Sequence, residues 1–545
     1  MKLIIKPIGN VHTILVIFSL LLLAQMALAE TWFTNEVWIS PVAQTNGGNG
    51  TLDFPYDGST QPNFDTLMGN LPRNITIHLL AGTYQTLGSP LGWNVKSGQK
   101  ILGSGIDVTI LNLVSGPTND GAYTLEGEMF AQFPATNIEI CDLTANANYN
   151  PSLGTYSCYG VVLTGSGHAI RRVKVINTAS YTNLPTQSAE SSEAWGVVIN
   201  GCWPFVGVYS TGNVIEECEV SQFAGGGHIT AIAFDGGPTN PISGIMRNNR
   251  VFLPPGINTS CYAFNNNWTL DLLLEGNYVS GGDVGCYGDT GGTTNMIVTY
   301  NMFNNCRNLA YFQGIARINL TFAFNKFRST NTFSLNPAAF FFNNTFGGSY
   351  TNIVIIGNTI DFYGAAGGPT YFVKALNVQG LVVVNNIVDA SLTNMFSGCT
   401  NVSVYNNYDL TGNFLTNLNQ VASPNGVTRG SVMSPTNIAY QSAGTNTYYA
   451  KYGDEYIGVK GFPFAGGQVF LQEADIVLPS AAGHAGKDFI VADESGNLRQ
   501  SMFIKQYINI KSTSPDKING GTSIINTNPY TAMTIISDGT NWFAY

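Results

Sequence analysis

The sequence predicts an all-β protein: a right-handed parallel β-helix with an N-terminal cap and a small C-terminal antiparallel β domain. Three observations predict it. A phrase of alternating apolar residues, then Asn, then any residue, then a further apolar one recurs at Asn277, Asn301, Asn325, Asn358 and Asn386. Successive copies lie 24 to 33 residues apart, the period of one turn of a stacked solenoid. The apolar positions alternate with period two, no helical period competes, and a second family of short strands sits between the copies.

From the start of the chain, Met1 to Ala29 has the parts of a secretory signal peptide. Lys2 and Lys6 precede a mostly apolar run from Ile14 to Leu23, and "ALA" stands before Glu30. The apolar run is shorter than the roughly 20 residues of a spanning helix. A secreted or cell-surface protein is expected, beginning at Glu30, with no membrane span after cleavage. Residues 30–72 are read as a cap on the first rung, with Asp65 to Leu71 a short helix ended by Pro72. An uncapped solenoid would leave strand edges unpaired.

Residues 73–418 are read as the β-helix. Besides the five Asn copies, the frame fits Asn249, Cys218, Val173 and Cys141 in the same slot, and an imperfect last copy at Asn406 or Asn407. Equivalent apolar residues must then stack, namely Val251, Val279, Phe303, Phe327, Ile360 and Val388. An interior Asn can both donate and accept along the stack, so the Asn series reads as structural. The second strand family ends at Asn200, Asp235, Asn265, Asp289, Gln313 and Asn343, giving two strand families per turn with a right-handed crossover. Phe264, Phe312 and Phe342 are expected to form a buried stack. Residues 419–446, rich in Ser, Pro, Asn and Gly, read as a linker, and 447–545 as a separate β module.

Only 10% of residues are charged, with 23 basic against 33 acidic side chains and a net charge of -10. Nucleic acid as a partner is excluded on this balance, because phosphate requires a basic footprint. An anionic polysaccharide would need a bridging cation or a groove that concentrates the few Arg and Lys. A surface of Asn, Thr, Ser and Gly suits neutral sugars, or inertness outside a cell. The 8 cysteines are too few for a disulfide scaffold, and Cys261 with Cys286 is the one candidate pair.

The opening "GNGTLDFPYDGSTQPNFDTLM" followed by "ITIHLLAGTYQT" resembles the entry segment of the pectate lyase-like superfamily, and the repeats to about residue 418 agree. That superfamily includes lyases, glycoside hydrolases, epimerases, adhesins and phage tailspikes. The segments "IVLPSAAGHAGKDFIVADESGN" and "IISDGTNWFAY" resemble a small module at the C-termini of phage tail fibres and surface proteins, which implies elongated assemblies, a homotrimer among them. Resemblance to the lyases implies Ca²⁺ held by acidic side chains of neighbouring turns with an Arg or Lys base. Resemblance to the inverting hydrolases implies two carboxylates flanking a water. The paired Asp and the Gly-His-Gly of the polygalacturonases are absent here, as is any cluster of three carboxylates, so a metal site is not assigned.

The candidate groove is the row of strand ends. Asp235 and Asp289 are the candidate catalytic carboxylates, read as two turns apart with Asn265 between them, and His228 is a candidate acid or base. Asn200, Asn265, Gln313 and Trp268 are candidate substrate-binding residues. The alternative for this row is a solvated corner ladder in which "DGG" and "DTGG" serve tight turns. The expected function is binding or cleavage of an extracellular polysaccharide by hydrolysis or β-elimination. The competing expectation is a non-catalytic surface, adhesin or fibre protein that assembles through its C-terminal module.

Overall fold

In the computed structural model, residues 35–544 are described apart from 115–121, 129–133, 149–157, 180–192, 203–206, 224–227, 255–260, 330–337, 346, 363–370, 414, 416–437, 440–445, 451–455, 461–469, 483–487, 494–498, 501–503, 514, 528–531 and 538–539. The proposed signal peptide and all of the proposed linker except Ile438–Ala439 and the 446 position lie outside the described residues. Among the described residues no helix is long and apolar enough to cross a membrane.

The central region is a right-handed parallel β-helix, with three strands per turn rather than two. The turn around Asn277 consists of Cys261–Asn267, Thr269–Glu275 and Tyr278–Ser280. The repeated phrase bends at its Asn, because the preceding residue adopts a left-handed backbone. Gly276, Tyr300, Phe324, Gly357 and Asn385 have φ between 56° and 65°. Each rung pairs in parallel with the next, which joins the long and short strands into a 23-stranded sheet and the third family into an 11-stranded sheet.

The apolar stack has the expected register, Val251 opposite Val279 and onward through Phe303, Phe327 and Ile360 to Val388. Beside it runs a buried amide ladder from Asn249 to Asn407. Each Nδ2 donates to the next Oδ1 at 2.8 to 3.0 Å, and that oxygen also accepts the backbone N–H one rung before. Asn407, not Asn406, holds the last slot. Towards the N-terminus Leu143, not Cys141, stands opposite Val173; Cys141 pairs with Arg171.

The strands of the 11-stranded sheet are kinked, with two consecutive residues facing the core. Ala231 and Ile232, Ala263 and Phe264, and Ala339 and Phe340 are such pairs, all fully buried. At the same bend a Cβ on Gly196 would lie 2.4 Å from Ala231 O, so only glycine fits. The kink corrects the aromatic stack. Phe312 and Phe342 face each other, with centroids 6.0 Å apart, but Phe264 belongs to the row of Ile232, Cys286 and Phe340. Cys261 stands opposite Ile229 and Cys286 opposite Phe264, three positions further along the strand. All eight cysteines are buried thiols, and the Cys261–Cys286 disulfide does not form.

The N-terminal cap carries the helix Gln61–Asn70, which starts earlier than expected because Thr60 accepts the Asn63 N–H and a proline in the first turn sacrifices no hydrogen bond. Its Phe64 and Met68 are fully buried at the end of the core. The chain divides into two compact units, Met1–Thr428 and Arg429–Tyr545. The second has its own core, built on Ile476, Phe489, Ile508 and Trp542. Antiparallel ladders join Asp488–Asp493 to Ala532–Ser537 and Ile504–Lys511 to Ser523–Asn526, and parallel pairs such as Phe470–Val477 with Ile504–Lys511 extend these sheets.

Candidate functional site

Beyond the kink, alternate residues of the 11-stranded sheet point out of the cylinder. One outward row runs Thr164, Asn200, Asp235, Asn267. It continues to Asp289, since the preceding Gly288 stands opposite Asn266 and Phe312, and then to Gln313 and Asn343. Asn267 rather than Asn265 therefore lies between the two carboxylates. Asn265 falls in the adjacent outward row, opposite Ala233 and Tyr287. Two rung steps put Asp235 and Asp289 roughly 10 Å apart along the axis.

Asp235 is held in a poorly solvated place. Burial pushes its carboxyl up to about 6, the Asn267 amide acts against the shift, and the charge of Asp289 adds to it. Asn267 Nδ2 donates to Asp235 Oδ1 at 2.9 Å. Asp289 accepts the Thr290 N–H at 2.7 Å and the Tyr287 hydroxyl at 3.3 Å. A relay of side chains leads away from it: Gln313 Nε2 donates to Tyr287 Oη at 2.5 Å, Tyr311 Oη donates to Gln313 Oε1 at 3.0 Å, and Asn343 Nδ2 donates to Tyr311 Oη at 3.4 Å.

Aromatic rings line the neighbouring outward row. Tyr287 stacks on Tyr262 at 3.8 Å, Tyr311 on Phe341 at 5.0 Å, and Lys374 Nζ lies 4.6 Å from the Phe341 centroid. Further along the sheet Tyr123, Tyr159 and Trp195 follow one another at 4.7 and 5.2 Å. The same face thus holds acid groups, amides and aromatic rings side by side, with Tyr262 and Tyr287 buried in their stack and Tyr311 and Phe341 half-buried.

Beneath Asp289, inside the cylinder, lies Arg317, which sequence reading missed. Its guanidinium donates to the main-chain carbonyls of Asp289, Gly291 and Gln313, and to Ala316 O at 2.9 Å. Burial lowers its pKa to about 10. It pins the Asp289–Gly291 corner from within. The available signal was its place at an inward position of the alternating "ARINLTF" strand, where a cation needs a structural reason.

Other expected residues are not brought to the pair. His228 opens the strand His228–Asp235, at the opposite end from Asp235 and about 20 Å along it, and its side chain is outside the described set. Trp268 sits at the corner after Asn267, with its ring against Gly291 and Gly292 rather than in the outward row. Arg247, Arg250 and Arg307 are committed to Glu216, Glu219 and Asp283 at 2.5, 3.5 and 2.6 Å. Among the described residues no group of three or more His, Cys, Asp or Glu converges. Ca²⁺ to oxygen distances of about 2.3 to 2.6 Å cannot be met by Asp235 and Asp289 together, so the pair does not fit a shared Ca²⁺.

The parallel rungs and their register define the fold class, a right-handed parallel β-helix, and several solved structures are similar to part of the chain. The surface protein and adhesin PfbA of Streptococcus pneumoniae is 11% identical over 62% of this chain and 90% of its own, with a TM-score of 0.43. The Dettilon tailspike protein is 15% identical over 70% and 67%, with a TM-score of 0.40. DFA-IIIase from Arthrobacter chlorophenolicus A6 is 12% identical over 70% and 96%, with a TM-score of 0.43. No family model and no curated protein matches the sequence.

Proposed function

We propose that the chain acts outside the cell and binds or cleaves a polysaccharide on the outward face that holds Asp235 and Asp289. The observation that carries this is the Asp235 carboxyl, raised to about 6 by burial and set two rungs from a carboxylate that accepts hydrogen bonds from Thr290 N and Tyr287 Oη. Two carboxyls with unequal environments can divide acid and base roles. Asp235, protonated below about pH 6, donates to the glycosidic oxygen, and Asp289 takes a proton from the attacking water. Their spacing of roughly 10 Å is at the outer edge of the range for inversion, about 6.5 to 9.5 Å, and too wide for retention. Hydrolysis is favoured over β-elimination because Arg247, Arg250 and Arg307 are tied up in ion pairs.

The test is release of reducing ends or unsaturated products from a panel of polysaccharides by the full chain, Asp235→Ala and Asp289→Ala. Loss in both variants supports the site; equal turnover in the variants removes it. A second reading, a non-catalytic surface or fibre protein, is supported by the separate core of the C-terminal unit. It expects no turnover and an oligomer, a homotrimer among the possibilities, that light scattering shows to fall apart when the chain is cut before residue 440.

A further inference from the structure

The outer surface of the 23-stranded sheet changes character partway along the axis. One row reads Glu216, Arg247 and Glu275 and then Thr299, Ala323 and Ile356, each opposite the next. Its first part is laced by ion pairs, with Arg171 and Arg247 each 2.5 Å from Glu216. Beyond Glu275 the charge stops. The strands Gly292–Thr299, Ala316–Ala323, Ser349–Ile356, Val378–Val384 and Thr400–Tyr405 contain one charged residue, Arg317, and it is fully buried inside the cylinder.

Apolar side chains take the place of charge. The neighbouring outward row runs Leu273, Ile297, Thr321, Val354 and Val382, each opposite the next. None of these five is buried, and Ile297 is 47% exposed. The short strands that follow add Met302 at 41% and Ile387 at 43%. On the other flank Asp271, Asn295, Asn319 and Asn352 form an exposed ladder, in which each Asn Nδ2 donates to the side chain before it at 2.8 to 3.1 Å. Hydrogen bonds already made along that row lower the cost of taking its amides out of water.

Area and charge identify the partner. Five strands at about 4.8 Å, each of six to eight residues at about 3.3 Å, give a face of about 24 by 23 Å, or roughly 550 Å². Two such faces laid together cover about 1,100 Å², which clears the roughly 1,000 Å² of a specific interface before Met302 and Ile387 are added. The chain carries a net charge of -10, so two copies repel each other over most of their surface and meet least repulsion where no charge stands.

We propose that a second copy of the chain docks on this uncharged face, with the row from Leu273 to Val382 against the same row of its partner, as a two-fold contact requires. The contact does not involve the C-terminal unit. It lies on the 23-stranded sheet and leaves the Asp235 row, on the other sheet, outside it.

The experiment is sedimentation equilibrium of the full chain and of Ile297→Glu, Val354→Thr and Val108→Glu. Val108 is 46% exposed and lies outside this face, so its variant controls for added charge alone. The expected result is a mass of two copies for the unaltered chain and for Val108→Glu at about 100 μM, and of one copy for Ile297→Glu. Val354→Thr keeps the size and shape of the side chain and is expected to weaken association about tenfold, because the change is met twice across a two-fold contact. Raising salt to about 0.5 M leaves the pair intact, since no ion pair holds it. A mass other than two copies for the unaltered chain overturns the proposal, as does an assembly that Ile297→Glu and Val354→Thr both leave intact.

Discussion

Asn267 stands directly opposite Asp235 and donates from Nδ2 to its Oδ1 at 2.9 Å, while Asn267 Oδ1 accepts the Gly291 N–H at 2.9 Å. One amide thus ties the raised carboxyl to the corner that carries Asp289. The tie also stabilises the ionised form of Asp235. Replacing Asn267 with Ala removes that donor and moves Asp235 further up. If the chain is an enzyme, the alkaline limb of its pH–rate profile shifts to higher pH in Asn267→Ala, and an unshifted limb separates that limb from Asp235.

Asp235 weakens the fold at neutral pH. Its folded pKa of about 6 exceeds the unfolded 3.8, so the folded state binds more protons between those values and stability falls as pH rises through that window. Asp235→Asn removes the penalty. At pH 7 the variant is expected to be more stable by up to about 3 kcal/mol, with the difference vanishing below about pH 4, as read from urea unfolding at both pH values.

His168 works in the opposite direction. It is fully buried, its Nδ1 accepts the Ile138 N–H at 3.2 Å, and burial lowers its pKa from 6.5 to about 4. The unfolded chain therefore binds more protons between pH 6.5 and 4, and stability drops as pH falls through that window, by about 3 kcal/mol in total. Asn at this position keeps an acceptor for Ile138 without titrating. His168→Asn is expected to flatten the acid limb of the melting midpoint against pH.

The amide ladder is a stability element whose loss leaves donors stranded. Asn301 Oδ1 accepts both Asn277 N at 2.9 Å and Asn277 Nδ2 at 2.8 Å in a fully buried site. Asn301→Ala strands both, and denaturant unfolding should show a cost of about 3 kcal/mol. A loss below about 1 kcal/mol would mean that water replaces the ladder.

How much was legible in the sequence follows from how each feature is held. Asn277, Asn301, Asn325, Asn358 and Asn386 could be read at sight, because each rung needs the same amide at the same corner to bond the rung on either side. The site was legible in part. Asp235, Asp289, Asn200 and Gln313 share the outward row, but Asn265 was misplaced because the Ala263–Phe264 kink breaks the alternation that strand reading assumes. Matching Phe264 to Phe234 by type put the following residue one row away from its true place; Phe264 pairs with Ile232. The role of Arg317 is hidden for a different reason: the alternating strand shows its inward place, but its partners are main-chain carbonyls brought near by the turn, which no side-chain pattern records.

The most direct measurement is a crystal structure of the full chain with a bound oligosaccharide taken from the polysaccharide panel. The account expects the sugar within hydrogen-bond distance of Asp235 and Asp289. A sugar seated on the outer surface of the 23-stranded sheet, with the Asp235 row left empty, would contradict it.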